Sequence, residues 1–72
     1  MTNREFGKAL RELRHETMIT QDLVARYAGY EQPQISRMEY GISPVNMQAL
    51  AGYAKALGDA PVLELVASAL KH

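Results

Sequence analysis

Gln32, Gln34 and Arg37 carry the most distinctive chemistry in this chain, three polar side chains within six residues. A terminal amide sets a donor beside an acceptor, and a guanidinium presents a planar fork of donors. Those pairs match the edges that adenine and guanine expose in the major groove of duplex DNA, where a good bidentate contact is worth about 1–3 kcal/mol of discrimination. Catalytic constellations are missing. There is no cysteine, the two histidines, His15 and His72, stand in a charged stretch and at the last position, and Ser36, Ser43 and Ser68 have no base near them in sequence. With no glycine-rich phosphate loop and no carboxylate cluster at metal-ligand spacing, the expectation is a protein that is not an enzyme and uses no cofactor or metal.

The residues around the triad must position it. Glu31, Gln32 and Pro33 open a short helix, the proline being tolerated in a first turn where its missing N–H costs nothing. Ile35 and Met38 give that helix a buried stripe. Upstream, Thr20 is a good N-cap, Asp22 suits the positive end of a helix dipole, and Val24, Ala25 and Ala28 recur at helical spacing. Gly29 then stops this second helix with a permissive backbone, and Tyr30 anchors the turn. The stretch from Thr20 to Gly41 therefore reads as two short helices joined tightly, with the later one projecting.

The pattern of Gln21, Val24, Ala25, Ala28, Gly29, Tyr30, Ile35, Met38, Glu39 and Gly41 resembles the helix-turn-helix of the Cro/C1-type (XRE) regulators. Leu10, Leu13 and Arg14 upstream and the run Ala54 to Gly58 downstream extend the likeness over most of the chain up to Gly58. Leu23, Glu31 in place of a Ser or Thr cap, and an extra residue around Val45 depart from it. The resemblance implies an all-α, compact five-helix, lambda-repressor-like DNA-binding domain whose second and third helices form the helix-turn-helix, about residues 20–40. Gln32 and Arg37 are then the first candidates for base contacts and Gln34 the second. Pro33 either lies against a thymine methyl or only stiffens the helix start. Gln21 would hold a phosphate and brace Gln32, and Ser36 and Tyr40 would touch the backbone. Ser43 and Asn46, in the loop and at the start of the fourth helix, would lie along a DNA strand, Asn46 serving as cap, phosphate ligand or both. Arg14 and Glu39 would form a structural ion pair that sets the angle of the third helix.

Elsewhere, Thr2 or Asn3 caps a first helix running to about Glu16 or Thr17, with Phe6, Leu10 and Leu13 as its core stripe. Arg4, Lys8, Arg11 and His15 lie roughly opposite, either as a solvated face or as contacts to a DNA backbone. Asn46 opens a fourth helix through Leu57, ended by Gly58, with Met47, Leu50, Tyr53, Ala54 and Leu57 as its apolar face and small Ala49, Ala51 and Gly52 for close packing. Asp59 caps a last helix to about Leu70 with Pro61 in its first turn. That helix is too apolar to lie half in water. Its surplus, Leu63, Val66 and Leu70, is expected to meet a second copy of the chain, the alternative being that a small core needs all of it.

Seventy-two residues make one domain, 1–72, and a core of this size gains from a partner subunit. The absence of cysteine, of a signal peptide and of any apolar run near the ~20 residues of a membrane span points to the cytoplasm and away from membranes. Eight basic and eight acidic residues leave no net charge, so non-specific DNA affinity should be weak and its salt dependence modest. The expected function is that of a homodimeric transcriptional regulator, acting as a repressor on a palindromic double-stranded DNA operator. The competing expectation is a protein-interaction module, such as an antitoxin component that binds a toxin or other partner protein.

Overall fold

The computed structural model describes residues 1–71; His72 lies outside the described residues. Five helices follow one another: α1 (Asn3–Glu16), α2 (Gln21–Ala28), α3 (Gln32–Glu39), α4 (Met47–Leu57) and α5 (Asp59–Leu70). No described helix is long and apolar enough to cross a membrane. Their ends follow from local chemistry. Thr2 and Glu5 form a reciprocal capping box on α1, the Thr2 hydroxyl accepting from the Glu5 N–H at 3.1 Å and the Glu5 carboxylate from the Thr2 N–H at 3.0 Å. Thr20 caps α2 by accepting from the Leu23 N–H, and Gly29 ends it at φ +76°, a left-handed conformation that a side chain would strain. Asn46 caps α4 through the Ala49 N–H at 2.9 Å. Asp59 does not cap α5, contrary to the sequence expectation. Gly58, at φ +99°, takes the N-cap position, and Asp59 is the first helical residue, placed to interact with the dipole.

The core is built from Leu10, Val24, Ala25, Ala28, Ile35, Met38, Ala49, Tyr53 and Val62. Two glycines set its closest helix contacts. A Cβ on Gly7 would stand 2.2 Å from the Met38 carbonyl oxygen, so α1 lies directly on the backbone of α3. A Cβ on Gly52 would meet the Ala28 methyl at 2.6 Å and the Val24 carbonyl at 2.9 Å, which joins α4 to α2 in the same manner. The helix-turn-helix is thereby held from both sides.

The apolar face of α4 is rotated from the one periodicity suggests. Ala49, Gly52 and Tyr53 face inward, Leu50, Ala54 and Leu57 are half-buried, and Ala51 and Met47 are exposed, Met47 to 79%. On α5 only Val62 is fully buried, while Leu65 and Val66 pack partly on the core and Leu63 and Leu70 are 65% and 81% exposed. Met47, Leu50, Leu63 and Val66 line one shallow apolar groove between α4 and α5.

Candidate nucleic-acid interface

A buried ion pair lies behind α3. The Arg14 guanidinium straddles the Glu39 carboxylate, Nε donating to Oε2 at 2.8 Å and Nη2 to Oε1 at 2.9 Å, while Nη1 donates to the Ile19 carbonyl at 2.9 Å. This couples α1, the α1–α2 turn and the C-terminal end of α3, as the resemblance implies. Burial pushes the Glu39 carboxyl up, but hydrogen bonds from Arg14, Tyr53 and Gln21 more than offset it and leave the group below its ordinary range. The carboxylate raises the Arg14 pKa in turn, against its own burial.

From this pair a chain of amides leads to the surface. Gln21, at the start of α2, donates its Nε2 to Glu39 Oε1 at 2.9 Å, and its Oε1 accepts from the Nε2 of Gln32 at the exposed start of α3. The bracing of Gln32 by Gln21 expected from the resemblance is present. Gln32 thus keeps its own carbonyl oxygen and one N–H for another partner. Arg37, in the last turn of α3, is exposed and enters none of the ion pairs among the described residues. Pro33 is exposed one residue after Gln32, and Ser36 is half-buried.

Gln34 and Asn46 also make contacts within the fold. The Oε1 of Gln34 accepts from the Glu31 N–H at 2.8 Å, which ties that amide to the start of its own helix. Asn46 uses its oxygen as the α4 cap and donates its Nδ2 to the Tyr30 hydroxyl at 2.7 Å. Tyr40 is half exposed just past α3, with the Arg11 guanidinium 4.5 Å from its ring centroid, a cation–π contact that holds one of the basic residues of α1 beside the end of α3. Lys8 pairs with Glu12 at 4.0 Å in the open, as a solvated face would. Ser43 lies half-buried in the loop between Tyr40 and Asn46.

Three contributors escaped sequence reasoning. Tyr53, assigned only to the apolar face of α4, is fully buried and donates its hydroxyl to Glu39 Oε2 at 2.6 Å. Gln48 caps the C-terminal end of α2 by donating to the Ala28 carbonyl at 2.7 Å. Tyr30 links the helix-turn-helix to Asn46. A tyrosine standing among leucines and alanines was the one available signal for Tyr53, since a buried phenol needs a partner.

Residues 5–65 match the family model for a helix-turn-helix domain. No curated protein sequence matches the chain. The crystal structure of ClgR, the clp gene regulator of C. glutamicum, is similar over 96% of this chain and 92% of that one, with a TM-score of 0.73 and 28% identity. The matched span takes in α2 and α3 with the buried pair that supports them, and the chain belongs to the helix-turn-helix domain family of transcriptional regulators.

Proposed function

We propose that this chain is a Cro/C1-type regulator that reads a palindromic DNA operator as a homodimer and acts as a repressor. The observation that carries the reading is the amide of Gln32, held at the exposed start of α3 by a hydrogen-bonded chain rooted in the buried Arg14–Glu39 pair. Preorganising an amide in this way suits bidentate contact with adenine, and Arg37 further along the same helix suits guanine. Pro33 lies against the groove floor between them. Gln34, tied back to the cap, contributes less than these. Gln21, Ser36, Tyr40, Ser43 and Asn46 meet phosphates, which set the register of the helix on the duplex without carrying sequence information. The low net charge fits a protein whose affinity rests on reading rather than on bulk attraction.

Dimerisation rests on the exposed apolar side chains of α4 and α5. Met47 and Leu63 line one groove with Val66, and Val66 and Leu70 line a second, so these exposed apolar side chains fall on one side of the domain, in a pattern of the kind that marks an interaction surface. A two-fold axis there would place two reading helices about 34 Å apart, one turn of DNA.

Selection of duplexes from a random pool tests both statements. The expected result is an enriched inverted repeat with half-sites about one turn apart, together with dimers by analytical ultracentrifugation that Leu63→Glu converts to monomers with weaker operator binding. Enrichment of a single half-site would remove the dimer. No enrichment by folded protein at ~50 mM salt, where backbone attraction is strong, would favour a module that binds another protein.

A further inference from the structure

We propose that Tyr53, buried in α4 and remote from the reading surface in sequence, is a positioning residue that sets how Gln32 is offered to DNA; this rests on the reading of Gln32 as a base contact. A carboxylate has about four acceptor sites. At Glu39 all four are taken: Oε1 accepts from Arg14 Nη2 and Gln21 Nε2, and Oε2 accepts from Arg14 Nε and the Tyr53 hydroxyl. The carboxylate is therefore pinned in one plane from three helices, α1, α2 and α4.

Removing the Tyr53 hydroxyl empties one acceptor site in a place without access to solvent. An unsatisfied buried acceptor is costly, so the group re-aims to recover a donor. Arg14 resists, because its fork is also fixed to the Ile19 carbonyl. Gln21 gives instead, being only half-buried and held by its side-chain amide. Whatever moves Gln21 moves Gln32, since the Gln21 Oε1 is the acceptor of the Gln32 amide. Tyr53 is also a dependable donor, because burial and its bond to Glu39 push its own ionisation far above the ordinary range.

The test is a double-mutant cycle on operator binding with Tyr53→Phe, which keeps the packed ring, in the wild-type, Gln32→Ala and Arg37→Ala backgrounds. Tyr53→Phe is expected to weaken binding roughly 3–30-fold in the wild-type and Arg37→Ala backgrounds and to change it less than about 2-fold in Gln32→Ala. Base preference should relax at the position lost in Gln32→Ala and persist at the position lost in Arg37→Ala. A penalty of equal size in all three backgrounds, or no penalty at all, overturns the proposal. If the wild-type protein selects no sequence, the reading of Gln32 fails and the proposal falls with it, which is a different result from an additive cycle. Side-chain amide NMR of DNA-free Tyr53→Phe, recorded below its melting temperature, keeps the idea testable if the variant is fragile. The Gln21 and Gln32 amide resonances should shift while that of Gln48 stays in place, and unmoved Gln21 and Gln32 signals count against it.

Discussion

Replacing Glu39 with alanine should lower the melting temperature by about 12–40 °C or abolish cooperative melting. The substitution strands the Arg14 guanidinium, whose remaining protein partners are the Ile19 carbonyl and the edge of His15, and it leaves the Tyr53 hydroxyl and the Gln21 amide without their acceptor. Breaking a buried pair from one side costs about 3–5 kcal/mol. A domain of this length holds roughly 4–11 kcal/mol in total, at about 0.05–0.15 kcal/mol per residue. Each kcal/mol is worth about 4–8 °C for a small domain, which converts the loss into the stated interval. Circular dichroism at 222 nm, an ordinary helix signal, would follow the melt. A variant that melts within a few degrees of wild type would mean that solvent reaches Arg14 and that the pair does not fix α3.

The same carboxylate makes stability depend on pH. Folding lowers the Glu39 pKa from its model-compound value of 4.5, so the folded state holds the charged form more firmly than the unfolded chain does. Its contribution is complete above about pH 4.5 and is lost as pH falls through the lower, folded value, because the unfolded chain then binds the proton first. Melting temperatures should be level with respect to this group near neutrality and decline below about pH 4.5. A Glu39→Gln variant should lose that part of the acid sensitivity, and an unchanged acid limb would place the effect on other carboxylates.

Local chemistry was legible in the sequence, and distant chemistry was not. Thr20, Gly29 and Asn46 announce helix ends because a cap acts on residues two or three positions away. The Arg14–Glu39 pair spans 25 positions, and only the likeness to a known family brought its partners together. Tyr53 had no such guide: helical spacing reports that a residue is inward, not what its hydroxyl meets. Met47 went astray for a related reason. In α4 nearly every position is apolar or small, so periodicity does not choose a face. The choice was made by Gly52, whose lack of a side chain lets α2 approach, and that rotation buried Ala49 and turned Met47 outward to join Leu63. Asp59 yielded the N-cap position to Gly58 because the tight connection from α4 requires a positive φ there.

Alanine at Gln32 or Arg37 should each reduce binding to the selected operator by roughly 5–150-fold, the equivalent of about 1–3 kcal/mol per bidentate contact. Their placement makes a sharper statement than the loss itself. Five residues at about 1.5 Å each separate them by roughly 7.5 Å along α3, a little over two base-pair steps of about 3.4 Å. At 3.6 residues per turn they also stand about 140° apart around the axis, with Pro33 between them, so Gln32 lies on the flank nearer Gln21 and Arg37 on the outer face. The positions at which the two variants lose preference should therefore be adjacent or two apart within each half-site, and never the same. Gln32→Ala should relax a preference for adenine, Arg37→Ala one for guanine, and the double variant should lose both additively where no shared partner couples them. Phosphate contacts would remain in each case, so the slope of affinity against salt should change for Arg37→Ala by at most about one counterion and for Gln32→Ala not at all. Equal weakening across every sequence, with preferences intact, would instead make both side chains backbone contacts and move the reading surface off α3.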